Sequence, residues 1–494
     1  MFECFTKITE YPVQSTTKFQ QIHIFVYIQQ IKTAFMEPKK QLSLFDLSMI
    51  VVSLVIGMGI FRTPVNVAKA AQIPELFFLA WIVGGFIALC GALSYAEIGS
   101  RFPVTGGYYK IFSEFYHPSI AFAINCIIVV SNAGSVAGVS IIGAEYFSKV
   151  IFPVEMQTET YRIIIATVTI VLFYFLNLLG LRVSSKAQNV LSIIKMGMVL
   201  TLICAVFFGV STETVAPVFK TVSGNPPIWS DYGKAIGVCL IAISFTFGGY
   251  QQTINFGGEI KNAKKILPKG IIIGLAIIIT LYMAINYAYV KVIGFEQLKS
   301  AESIAAILAG KIFGPMGFTL LSGLIYLSVL GYVNVNLLSN PRAMYAMGEE
   351  RALPAFFTKK SGKTDVMYVS LTVFALIAIL TLFYAQTFDK ILNYTIFLDC
   401  IGMATSVGTI FFLRKRTATI DKRTIFTMKL YPLLPLIFIA AYLFVAISIY
   451  NDDPDAAING LLIFVAFIVI YFLNKLLNKS KNNLNNSKNN LNKP

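Results

Sequence analysis

The chain has 494 residues, of which 56% are hydrophobic and only 13% charged, against about a quarter charged in soluble globular proteins. With a mean hydropathy of +0.72 it cannot fold around one soluble core, because apolar stretches of about 20 residues, each the length of a membrane span, recur along nearly all of it. The net charge of +16 lies in loops and tails without a basic stripe of interleaved aromatics, which argues against a nucleic-acid surface.

Two further counts narrow the chemistry. The two histidines, His23 and His117, are far apart, and the six cysteines show neither a disulfide framework nor metal-ligand spacing. No metal or cofactor is expected. No nucleophile and base can be assembled from residues inside the spans, so an enzyme is not expected either.

In chain order, residues 1–40 read as an N-terminal cytoplasmic tail without a signal-peptide pattern, with Met36 an alternative start. Twelve spans follow, near 44–71, 76–97, 119–147, 163–180, 187–210, 235–258, 270–292, 315–341, 366–386, 390–413, 430–450 and 456–474. The tail 476–494, which includes NKSKNNLNNSKNNLNKP, is repetitive and polar and is expected to be disordered. With the N-terminus placed inside, the cytoplasmic loops hold 19 Lys and Arg against nine outside. That bias predicts a multi-pass protein of the cytoplasmic membrane, lipid on all sides, with both termini cytoplasmic.

Two spans carry residues that a membrane helix normally avoids. LVIGMGIFRTP (54–64) breaks at Gly57-Met58-Gly59, and FTFGGYQ (245–251) breaks at Gly248-Gly249. Glycine also lets helices pack closely, but these interruptions fall at corresponding positions of two five-span halves, 41–211 and 232–415, with two more spans in 429–475. Such a pair points to the substrate site of an inverted-repeat transporter. The expected fold is an all-α integral membrane protein of twelve helices: a five-plus-five inverted repeat with broken first and sixth helices, then two C-terminal helices.

These same stretches carry a resemblance. IGMGIFRTP, the YAEIGSRFPVTGGYY run at 95–109, FTFGGYQ with the following Glu259, Asn262 and Pro268, and NYAY at 286–289 are similar in order and spacing to the amino acid-polyamine-organocation superfamily. Within it the chain resembles bacterial relatives of the L-type amino acid transporters. The likeness covers about residues 40–475. It departs at Asn262-Ala263, where the family often has Asn-Pro, and at Arg62, where a small or apolar residue is common. The loop 148–162 lacks the cysteine with which glycoprotein-linked relatives bind their partner, so no disulfide-linked glycoprotein subunit is expected.

The chemistry of a free amino acid fits the breaks. Unwinding at Gly57-Met58-Gly59, next to Ile56 in the same substrate-binding stretch, frees backbone N–H groups for the carboxylate, and unwinding at Phe247, Gly248 and Gly249 frees carbonyls for the ammonium. The resemblance makes Phe245 an aromatic gate and Gly248 the space for the substrate side chain. Asn132 and Ser135 are third-span candidates for the same pocket, although polar residues in bundles more often bond a neighbouring helix. No acidic residue stands beside either break, which favours neutral substrates. Lys195 matches the family's fifth-span lysine, linked there to proton coupling, and its ammonium would make a nearby sodium site redundant. Arg62, at a depth where a lone charge is costly, is expected to pair with Asp399 as an outer gate or as a static pair. Glu97 is expected to hold the loop after the second span.

Together these features predict a sodium-independent carrier of neutral L-amino acids, a proton symporter or exchanger working by alternating access. Two alternatives stay open: an antiporter of cationic amino acids or polyamines, for which Asp399 is the acidic candidate, and a nutrient sensor that has lost transport.

Overall fold

The computed structural model describes residues 41–491 except 58, 154, 156, 209–228, 302–303 and 384. The N-terminal tail and Met58 therefore lie outside the described residues. Within them the chain is helical, with no strand. Ser43 opens the first helix, α1 (Leu44–Val55), through a capping box: its hydroxyl accepts the Asp46 N–H while the Asp46 carboxylate accepts the Ser43 N–H at 2.9 Å. That arrangement satisfies donors an uncapped helix end would leave bare.

The chain breaks after Val55 and resumes as α2 (Gly59–Ala71), bent by 45° from α1. Then come α3 (Pro74–Arg101), the short α4 (Gly107–Phe115), α5 (Pro118–Ile151), α6 (Glu159–Leu178) and α7 (Leu181–Phe208). Helix α8 (Trp229–Phe247) ends in the second break and continues only as 3-10 turns, Tyr250–Asn255 and Gly257–Glu259. The remaining helices are α9 (Ala263–Ile293), the short α10 (Phe295–Ser300) and α11 (Ile304–Phe313), α12 (Pro315–Glu349), α13 (Tyr368–Leu382), α14 (Ala385–Arg416), α15 (Leu433–Asp452) and α16 (Pro454–Leu491). Proline at the first turn of α3 and of α5 starts each helix where its missing N–H costs nothing.

Ten described helices are long and apolar enough to span a bilayer, and the bent α1–α2 pair makes eleven. The twelfth expected span falls at α13, which is apolar but has only 15 residues. A multi-pass membrane architecture therefore holds, while the count of twelve does not follow from helix length. The C-terminal tail differs from expectation, since α16 continues to Leu491. The reason is local: extending a formed helix needs no new nucleus, and the tail has no glycine or proline before Pro494.

Helix α1 lies between α7 and α9 and beside the 3-10 turn, while α2 packs on α8. The two breaks are thus neighbours, joined across the gap by Thr246 donating to Thr63 at 2.7 Å. A buried aromatic cluster backs them. Phe247 packs edgewise on Trp81 with ring centroids 6.0 Å apart and on Tyr282 at 5.2 Å. At one end of the bundle, buried ion pairs tie separate helices together. Glu259 meets Arg342 of α12 at 2.7 Å, with the guanidinium over the Phe256 ring, and Glu97 accepts from both Arg101 and Arg414 at 2.7 Å and from the Met428 N–H at 2.9 Å. Glu97 thus holds α14 and the chain beyond it rather than only the loop after α3.

Candidate functional site

Both breaks open on one cavity of about 150 Å³, whose walls come from α1, α2, α5, α8, the 3-10 turn, α12, α14 and α15. Gly249 makes the junction feasible. Its φ is +111°, and a Cβ there would lie 3.0 Å from the Leu54 carbonyl carbon and nearer still to its oxygen. Only glycine adopts that backbone without strain. The turn is fixed by the Gln251 side chain, which accepts the Gly249 N–H at 2.8 Å.

Of the residues the sequence pointed to, Gly57, Gly59, Asn132, Ser135, Phe245, Gly248, Gly249 and Asp399 line this cavity. Phe245 is 52% exposed at the cavity wall. Asn132 has both ends of its amide engaged, donating to Asn340 at 2.7 Å and accepting from Gln252 at 3.4 Å, so it braces α5 against α12 as well as facing the cavity. Ser135 lies within reach of the Tyr332 hydroxyl.

Other expectations need correction. The Phe247 ring is buried in the Trp81–Tyr282 cluster, outside the cavity lining, which leaves only its backbone carbonyl for the role expected of it. Ile56 is buried outside the cavity lining, and its carbonyl accepts from Lys195. The Gly57 N–H turns back to Val55 O at 2.8 Å instead of facing the cavity. Among the described residues no ion pair joins Arg62 to Asp399. Arg62 instead lies on an exposed face of α2.

Lys195 is fully buried, and its Nζ donates to the Ile56 carbonyl at 2.5 Å. The fifth-span ammonium therefore rests directly on the break in α1, away from the cavity lining. A charged donor on an orphaned carbonyl is worth about 1.5–3 kcal/mol. Beside it Ser53, Ser192, Gln188 and Asn334 form a buried polar chain between α1, α7 and α12.

Several site residues gave no sequence signal. The Tyr332 ring lies 3.4 Å from where a Gly57 Cβ would sit, and Tyr332 and Asn336 bring α12 to the cavity. The Tyr282 hydroxyl on α9 lies 3.1 Å from Val55 O and 3.5 Å from Thr246 O, between the two breaks. Gln251 and Gln252, a polar pair directly after Gly248-Gly249, could have been flagged as intramembrane polar residues.

Two interrupted helices meeting at a cavity inside a membrane bundle, with polar side chains set in a mainly apolar lining, are the architecture of a solute transporter. Residues 42–473 match the amino acid permease family model, and the chain belongs to that family, within the amino acid-polyamine-organocation superfamily. It is 27% identical over 448 residues to the serine/threonine exchanger SteT of Bacillus subtilis, covering 88% of this chain and 96% of the relative. It is 24% identical over 440 residues to the human large neutral amino acids transporter small subunit 2, covering 88% and 80%. With the human cystine/glutamate transporter it shares 25% over 447 residues, covering 88% and 85%.

Proposed function

We propose that the chain is a sodium-independent secondary carrier of neutral L-amino acids, working by alternating access as an exchanger or proton symporter. It acts in the cytoplasmic membrane, with both termini inside and without a disulfide-linked glycoprotein subunit. The observation that carries this reading is Lys195 Nζ, 2.5 Å from the Ile56 carbonyl. A cation built into α7 already neutralises the break in α1, so a sodium ion there would be redundant. The substrate's carboxylate meets the backbone at the start of α2 around Gly59, its ammonium meets the backbone around Gly248 and Gly249, Phe245 closes over them, and the side chain enters past Gly248. The relatives named for neutral and hydroxylated amino acids are consistent with this choice of substrate.

The test is uptake into proteoliposomes of the purified chain alone, with a panel of amino acids, with and without sodium and a pH gradient. Sodium-independent uptake is expected, and Lys195→Met, which keeps the stem and removes the charge, should fold and lose at least about tenfold in rate, from about 1.5–3 kcal/mol of lost hydrogen bonding. A wild type inert until sodium is added, or a Lys195→Met variant with unchanged uptake, would overturn it.

A further inference from the structure

With no Arg62 partner, Asp399 remains an acid in the wall of the substrate cavity. Among the described residues it makes neither a hydrogen bond nor an ion pair, whereas the buried acids Glu97 and Glu259 are each held by arginine. The hydroxyls of Tyr108, Tyr250 and Tyr442 and the Cys400 thiol lie around it, and none makes a hydrogen bond to it. Asp399 also borders a second cavity of about 220 Å³, which shares Ile127 and Ile128 with the first and is otherwise walled mainly by isoleucine, leucine and phenylalanine side chains. Hydrocarbon on that side leaves little water to compete for the carboxylate, and a hydrogen bond made there is correspondingly strong.

A second acceptor faces the same cavity. Gln252 is 7% exposed, and its Oε1 is buried with no partner. Asp399 and Gln252 are two acceptors that line one cavity, neither taking a hydrogen bond from a donor among the described residues at the oxygens in question, and mark a place where the ligand brings the donor, since buried polar groups otherwise find partners. We propose that Asp399, seconded by Gln252, reads the substrate side chain and selects short side chains that end in a hydrogen-bond donor, a hydroxyl or an ammonium. This rests on the amino acid reading of the cavity: a hydroxyl preference narrows the neutral substrates proposed above, and an ammonium preference replaces them with cationic ones. An apolar side chain of the same shape leaves both acceptors unpaired, which sites of this kind penalise strongly.

The experiment compares near-isosteric pairs in proteoliposomes of the full chain: threonine against valine for the hydroxyl, and 2,4-diaminobutyrate against norvaline for the ammonium. At least about a tenfold preference in kcat/KM for the donor of one pair is expected. Which pair shows it tells hydroxyl from ammonium recognition. Asp399→Asn should abolish an ammonium preference and reduce a hydroxyl preference several-fold, and Asp399→Ala should bring either ratio to near one. If Asp399→Ala does not fold, Gln252→Met, scored on the same ratios, gives a second reading. Valine and norvaline carried as well as their partners, or ratios unmoved in Asp399→Asn, would overturn the inference while leaving amino acid transport standing. A wild type that carries no amino acid would overturn the proposed function, and this inference with it.

Discussion

Gly249→Ala tests whether the second break is set by sterics. The native backbone at φ +111° is strained for any L side chain, at about 1–3 kcal/mol. The new methyl would also press on the Leu54 carbonyl, part of the α1 backbone rather than a movable side chain, an overpacking worth about 1–3 kcal/mol more. The sum, about 2–6 kcal/mol, shifts the joined arrangement of the breaks by about 30-fold or more, at about 1.4 kcal/mol per tenfold. Gly138→Ala is the control: it lies in α5 with no atom within 4 Å of a built Cβ, so alanine there should be neutral or stabilise by about 0.5–1 kcal/mol. Thermal unfolding of the purified variants and initial uptake rates measure the two effects. Wild-type uptake and stability in Gly249→Ala, or equal losses in both variants, would refute the steric argument.

Other substitutions probe separate parts of the molecule. Glu259→Gln leaves Arg342 buried without its counter-charge, and a loss of about 3–5 kcal/mol is expected in thermal unfolding; a stability within about 1 kcal/mol of wild type would show the pair to be slack. Tyr282→Phe keeps the ring in the Phe247–Trp81 cluster but removes the hydroxyl between the breaks, so uptake should fall by about two- to tenfold, from about 0.5–1.5 kcal/mol per hydrogen bond, with the fold intact by circular dichroism. A bulky residue at Gly248 should exclude large substrates before small ones; equal weakening of alanine and leucine uptake would place the side-chain pocket elsewhere.

The sequence made the breaks visible because glycines and an arginine stand out against twenty apolar neighbours. It made Lys195 visible for the same reason, a lone charge at mid-span. It could not say what Lys195 touches, since the Ile56 carbonyl belongs to a backbone found in every residue. It pointed to Phe245 at the cavity but was silent on where the Phe247 ring goes: a break interrupts the helical period, so which of two phenylalanines two residues apart faces inward depends on the new direction of the chain. Tyr332 and Asn336 sit one turn apart in α12 among other polar and small residues, and no pattern there separates the cavity face from the faces that pack on α5 and α7. Depth along the span called for a partner to Arg62, but depth alone does not say which face of α2 carries it, and that face is exposed.

The place of Tyr282 has a mechanical consequence. A phenol carries one proton, so the donation it makes to Val55 O at 3.1 Å is withheld from Thr246 O at 3.5 Å. The carbonyls it lies between belong to the two helices whose interruptions frame the site. A small shift of α9 toward α8 would hand the proton from one to the other, so whatever moves one broken helix alters the bonding of its counterpart, even with no substrate between them.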